Sequence, residues 1–140
     1  MKNKVFYIFI SLICLSLKVF ADAYVPDFDT MQTYKCEIKE TIYNQDNSIS
    51  SENNIFRIFK LDDENSKLYL QKEPLSKVSY YGLDKIEFDM QSMTDDCIIM
   101  SHTIINRSSN EYSSNSVITY DNPIFGVRHS KSVGTCKIIN

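Results

Sequence analysis

From Thr33 to Tyr43 the chain alternates: Tyr34, Cys36, Ile38 and Ile42 fall on one side of an extended segment, and Lys35, Glu37, Lys39 and Thr41 on the other. A period of two marks a strand with one face covered. NQDNSISSENN, residues 44–54, reads as a polar turn region, after which IFRIFKL (55–61), DDENS and KLYLQ (67–71) predict a hairpin. Pro74 breaks the chain before VSYY, and Gly82 breaks it again before KIEFDM, where Ile86, Phe88 and Met90 face one way and Lys85, Glu87 and Asp89 the other. CIIMSHTII (97–105) carries apolar groups in both registers, which predicts a strand covered on both sides. NRSSNEY (106–112) turns the chain toward SVITY, DNPIFG (121–126) turns it again, and TCKII closes.

About eight or nine short strands, separated by Asn, Asp and Ser clusters at roughly ten-residue spacing, predict an all-β fold. The expected architecture is a single-domain antiparallel meander, barrel-like or a sandwich. The strongest local competitor, a short helix over Asp84–Met90, loses to the alternation there. Tyr80 and Tyr81 are adjacent on a strand and must point to opposite faces, one toward the core and one outward.

The N-terminus adds a compartment. Lys2 and Lys4 precede Val5–Leu17, an uncharged apolar run of 13 residues, and small residues follow in FADAY. That is the layout of a secretory signal peptide, and the run is short of the roughly 20 residues a membrane-spanning helix needs. The reading is a leader over Met1–Ala21 and one domain over Asp22–Asn140, exported to the periplasm or outside the cell, with no stable membrane span after cleavage. Cys14 lies within the apolar run behind Leu12 and Ile13, which does not fit a lipidation site. Removal of Lys2, Lys4 and Lys18 takes the formal charge from −3 to −6, so the domain has no basic footprint for nucleic acid.

Export changes how the cysteines are read. In an oxidising compartment Cys36, Cys97 and Cys136 are first a disulfide framework with one thiol left over. If the meander closes on itself, its first and last strands become neighbours, and these carry Cys36 and Cys136. That pairing is the expected one, with Cys97 packing as a small buried hydrophobe beside the acidic pair Asp95 and Asp96; a bridge from Cys97 to one of the others is the alternative.

Catalytic chemistry is not legible. His102 and His129 lie in separate segments without metal-ligand spacing, and the acidic runs Asp62–Glu64 and Asp95–Asp96 lack the alternating oxygens and glycine of a calcium loop, so they read as solvated turn residues. There is no GxSxG, no SxxK and, with 3 glycines, little material for a phosphate loop. The expectation is no enzyme, no metal and no cofactor. One apolar loop stands out: NPIFGVR places Ile124 and Phe125 between Pro123 and Gly126, with Arg128 beside them. These three residues are the candidate contacts for a protein partner; the competing reading is a loop tucked over one end of a barrel.

The leader, the Tyr34-x-Cys36 strand, the Ile105–Arg107 hairpin and the closing Gly134-x-Cys136 together resemble small exported bacterial β-rich proteins of uncharacterised function. The resemblance is one of layout and implies the fold and the compartment, not an activity. In size and terminal disulfide the chain is also similar to small periplasmic β-barrel inhibitors of cell-wall lytic enzymes, although no inhibitory loop motif matches. The expected function is a non-catalytic binding module with a protein partner. A carrier of an apolar small molecule in a barrel cavity is the alternative, and a small hydrolase stands third.

Overall fold

The computed structural model describes residues 24–139; the expected leader and its cleavage site lie outside the described residues. The described chain is all-β. It forms nine antiparallel strands: β1 (Gln32–Tyr43), β2 (Ile49–Asp62), β3 (Lys67–Leu70), β4 (Glu73–Pro74), β5 (Lys77–Tyr81), β6 (Lys85–Met93), β7 (Cys97–Asn106), β8 (Glu111–Tyr120) and β9 (Val127–Ile139). They make one sheet in the order β4-β3-β2-β1-β9-β8-β7-β6-β5, curled into a half-barrel. Among the strand ladders, the two meanders β1–β4 and β5–β9 thus meet only at β1–β9. The two edge strands are consecutive in the chain, separated by Leu75 and Ser76, and the N–H of Leu75 still donates to Leu68 C=O at 2.8 Å. Glu73–Tyr81 is therefore one segment that leaves β3 and joins β6. No helix among the described residues is long and apolar enough to cross a membrane.

The expected neighbourhood of the first and last strands is realised. Cys36 and Cys136 face each other in the β1–β9 register, their Cα atoms 3.9 Å apart, and are joined by a disulfide. Two residues along β9, Gly134 sits where a Cβ would meet the carbonyl oxygen of Glu37 at 2.1 Å, so only glycine lets β9 lie this close on β1.

The apolar side chains fill one half of the interior. Tyr34, Ile38, Phe59, Leu61, Leu68, Ile86, Phe88, Ile105 and Tyr112 are all buried, and the disulfide lies among them. Phe59 of β2 meets Phe88 of β6 edge-on at 5.6 Å and stacks on Tyr112 of β8 at 6.2 Å, so aromatic rings tie strands that the ladder does not pair.

That end is closed by a polar clasp. Arg107 donates to both carboxylate oxygens of Asp63 (2.9 and 3.0 Å), to Gly82 C=O and to Gln32 Oε1, and Tyr81 O–H also donates to Asp63 at 2.8 Å. Neighbouring Asp62 is buried and accepts from Tyr24 and from Asn65, which corrects the expectation of a solvated turn at this residue: Tyr24, ahead of β1, reaches over it. The Arg107 hydrogen bonds hold the Asp63 carboxyl below the ordinary carboxylate range. Burial would raise Asp62, but the donors from Tyr24 and Asn65 prevail and hold it low as well. A carboxyl depressed on folding contributes stability that is complete above its unfolded value of about 3.9 and is lost as pH falls through the folded one. Stability measured by denaturant melts is therefore expected to fall steeply below about pH 4. Arg107→Met should cost about 1–2 kcal/mol at pH 7, the half-exposure of Asp63 keeping the loss modest, and should flatten that acid limb. An unchanged acid limb in the variant refutes the clasp.

Three local expectations are corrected. Residues 49–54 belong to β2, and Glu111 and Tyr112 to β8, not to turns: residues 50–54 are polar on both faces, and Tyr112 is a single apolar residue among polar neighbours. β7 is not covered on both sides: Thr103 and Ile105 are buried, while Met100 is 58% exposed on the outer face, over which no second layer packs among the described residues. Cys97 is free as expected, yet it is only half-buried at the start of β7, hydrogen-bonded to Thr94 instead of packed in the core. Of the tyrosine pair, Tyr81 is half-buried and Tyr80 is 44% exposed.

Candidate functional site

An up-and-down arrangement puts alternate turns at the same end. The turns 44–48, 94–96 and 121–126 lie opposite the Arg107 clasp and rim the other half of the barrel, whereas the turn at 71–72 stops level with Ile58, partway along β2. Contacts join them: Asp121 N–H donates to Asp96 C=O at 3.0 Å, Gly126 lies against the Gln45 side chain, and Arg128 donates to Ser50 Oγ at 3.2 Å.

Below this rim the interior changes character. Inward positions of β8 and β9 that would carry apolar groups in a filled barrel carry Ser114, Ser116, Ser130 and Ser132, all buried. In register, Thr103 stands beside Ser114 and Ser114 beside Ser132, while Ser101 stands beside Ser116 and Ser116 beside Ser130. The hydroxyls are hydrogen-bonded in part: Thr103 with Ser114 at 2.9 Å, Ser116 donating to Ser101 at 2.9 Å, and Ser114 donating to His102 C=O at 3.2 Å. Among the described residues Ser130 Oγ is buried without a hydrogen-bond partner, which is uncommon for a buried polar group. Ser101, Ser114, Ser116 and Ser132 line a cavity of about 510 Å³ together with Glu40, Arg57 and Met90, while Ser130 lines a neighbouring pocket that shares Ser116 and includes Tyr43 and Asn115. Arg57 extends across it and donates to Met90 Sδ at 3.6 Å. Serines and two charges at inward strand positions break the rule that the covered face is apolar, and such breaks concentrate where a protein binds something.

The loop picked out in the sequence stands on the same rim. Ile124 is 84% exposed and Phe125 48%. Its shape is set locally: Asn122 accepts from Ile124 N–H through Oδ1 (3.0 Å) and from Phe125 N–H through its carbonyl (3.1 Å), and Gly126 turns the chain at φ +57°, in the region that favours glycine. The Phe125 ring rests against Tyr120 at 5.7 Å, and the half-buried Arg128 lies 5.4 Å from the centre of the Tyr120 ring. Ile124, Phe125 and Arg128 are thus brought together at one corner of the opening.

Other residues singled out in the sequence lie elsewhere. His102 pairs with Asp89 at 2.8 Å on the outer face, the face opposite to Ser101 and Thr103, and His129 is exposed on β9. Among the described residues no group of three or more His, Cys, Asp or Glu side chains is placed to hold a metal. The sequence reading missed Arg57, Glu40 and the serines. Their signal was present as serine at every second position, 114 and 116, then 130 and 132, but it becomes legible only once those segments are known to be strands. Comparison with protein-family models, with curated proteins and with solved structures gives no match.

Proposed function

We propose that the protein is an exported, non-catalytic binding module, periplasmic or extracellular, that engages a protein partner through the rim of its open end. The observation that carries this reading is Ile124, 84% exposed at the tip of a loop whose shape is held by Asn122 and Gly126. A large apolar side chain held in water by a rigid turn is organised before binding, so little ordering entropy opposes contact. Phe125 and Arg128 on Tyr120 add an aromatic and a charged neighbour of the kinds enriched at interface hot spots.

The polar interior weighs against the carrier of an apolar molecule, because hydroxyls and the charges of Glu40 and Arg57 would be desolvated by an apolar cargo. It gives no support to a hydrolase either, since the Asp89–His102 pair lies on the other side of the sheet from the serines. The test uses the domain as bait in the native envelope or culture medium, beside Phe125→Ala. The variant is expected to keep its folding stability within about half a kcal/mol and to bind the captured partner about thirtyfold more weakly, the equivalent of roughly 2 kcal/mol. Unfolding of the variant by several kcal/mol would make the loop a structural plug, and equal capture would remove it from the interface.

A further inference from the structure

Strand β2 is paired along its whole length on one side only. Toward β1 the ladder runs from Ile49 to Leu61, whereas toward β3 it covers Phe59–Asp62 and ends with Gln71 N–H donating to Ile58 C=O at 3.0 Å. In an extended strand the N–H and C=O of one residue point to the same side, and the side alternates along the chain. Ile58 points toward β3, so Phe56, Asn54 and Glu52 direct their backbone groups to that edge, beyond the end of β3 and with no strand beside them among the described residues. β6 mirrors this: it pairs with β7 as far as Met93 but with β5 only as far as Asp89. Between the two free edges the half-barrel opens sideways onto the serine-lined cavity, whose walls include Arg57 of β2 and Ser92 of β6.

Exposed edges are normally blunted with proline, lysine or a short strand. Residues 52–57 include no proline and no lysine, and Phe56 among them is 64% exposed. The Arg57 guanidinium faces this opening with the Met90 thioether as its hydrogen-bond partner and, among the described residues, no carboxylate at salt-bridge distance. A half-buried guanidinium held by a weak sulfur acceptor is a receptor for a carboxylate. Glu40, on the β1 wall of the same cavity, repels a second acid and so sets the register.

We propose that the free edge of β2 takes an extended segment of a partner protein as an added strand, with an aspartate or glutamate of that segment seated on Arg57. Backbone hydrogen bonds to Glu52, Asn54 and Phe56 supply the pairing, and the acid on Arg57 supplies the selection. The site is separate from the Ile124–Phe125 loop and stands without it.

The test is selection from a phage-displayed library of random twelve-residue peptides on the folded domain, followed by affinity measurement with the selected peptides. Enriched sequences should alternate apolar and polar residues around one acidic position. Changing that acid to its amide, or Arg57→Met in the protein, should weaken binding at least tenfold, while Phe125→Ala leaves it unchanged, which separates this site from the rim loop. Amide exchange at Glu52, Asn54 and Phe56 should slow when peptide is added. Asn54→Pro removes an N–H that the β1 ladder does not use, and it should abolish binding in a folded protein. If that variant does not fold, the Arg57→Met affinities and the amide exchange decide alone. No enrichment, an acid-free consensus, unchanged affinity in Arg57→Met, or unprotected edge amides would each overturn the proposal. So would a concentration-dependent dimer that shields the same amides, which would assign the edge to a second copy of this chain.

Discussion

A Cys36→Ala, Cys136→Ala double variant is expected to lose about 4–5 kcal/mol of folding stability, close to what loop-closure entropy assigns to a cross-link over roughly 100 residues. The separation here is 100 residues, and the bridge lies in the one ladder that joins the two meanders. In the unfolded chain it ties the first strand to the last; without it the β1–β9 register has to be found across almost the whole domain. For a domain with a typical total stability of about 5–15 kcal/mol, such a loss leaves a large unfolded fraction at physiological temperature. Both cysteines are buried, 0% and 2% exposed, so reductant alone should act slowly on the native protein and quickly once denaturant opens it. Denaturant melts of the oxidised protein and of the double variant supply the measurement. A difference under about 1 kcal/mol would mean that the ladder and the core hold the register without the bridge.

Phe59→Ala is expected to cost about 3–5 kcal/mol. The residue is fully buried and its ring touches Phe88 on β6 and Tyr112 on β8, so it is an aromatic contact by which the β1–β4 meander meets the β5–β9 meander across the interior. Truncation removes both aromatic pairs and leaves a hole that neighbouring strands, held by their ladders, cannot collapse to fill. Phe59→Leu, which keeps most of the volume, should recover more than half of the loss. If Phe59→Ala proved nearly neutral, the two meanders would be held by the ladder, the disulfide and the Asp63 clasp, and the apolar half of the barrel would not be a packed core.

These two positions stand at the stable end of the molecule, and the proposed binding surfaces stand at the other. The arrangement has a physical basis. A groove that accepts a partner must keep backbone groups and polar side chains unsatisfied, and it can do so only where a packed core elsewhere holds the strands in place. Arg57 and Phe59 are two residues apart on β2 and both turn inward, yet one meets the serine-lined cavity and the other the aromatic core.

The apolar half of the fold was legible in the chain. Tyr34, Cys36 and Ile38, then Ile86 and Phe88, alternate with charged residues because water lies on one side of the sheet and hydrocarbon on the other, and that contrast writes a period of two. The same contrast predicted an all-β meander and, from its closure, the Cys36–Cys136 bridge. It also picked out the NPIFG segment by composition, while leaving the exposure of Ile124 open. What the pattern could not convey was the polar half. Along β2 from Ile49 to Asn54, and in β8 and β9 around Ser114 and Ser132, the inward face is lined with serine or open to water, so the contrast between faces vanishes: the first stretch reads as a turn and the others carry no strand signal. Only the pairing of strands distant in the chain decided that those serines converge, that Arg57 faces them, and that the β2 edge stays open, because each is a relation between segments and none is a property of one segment alone.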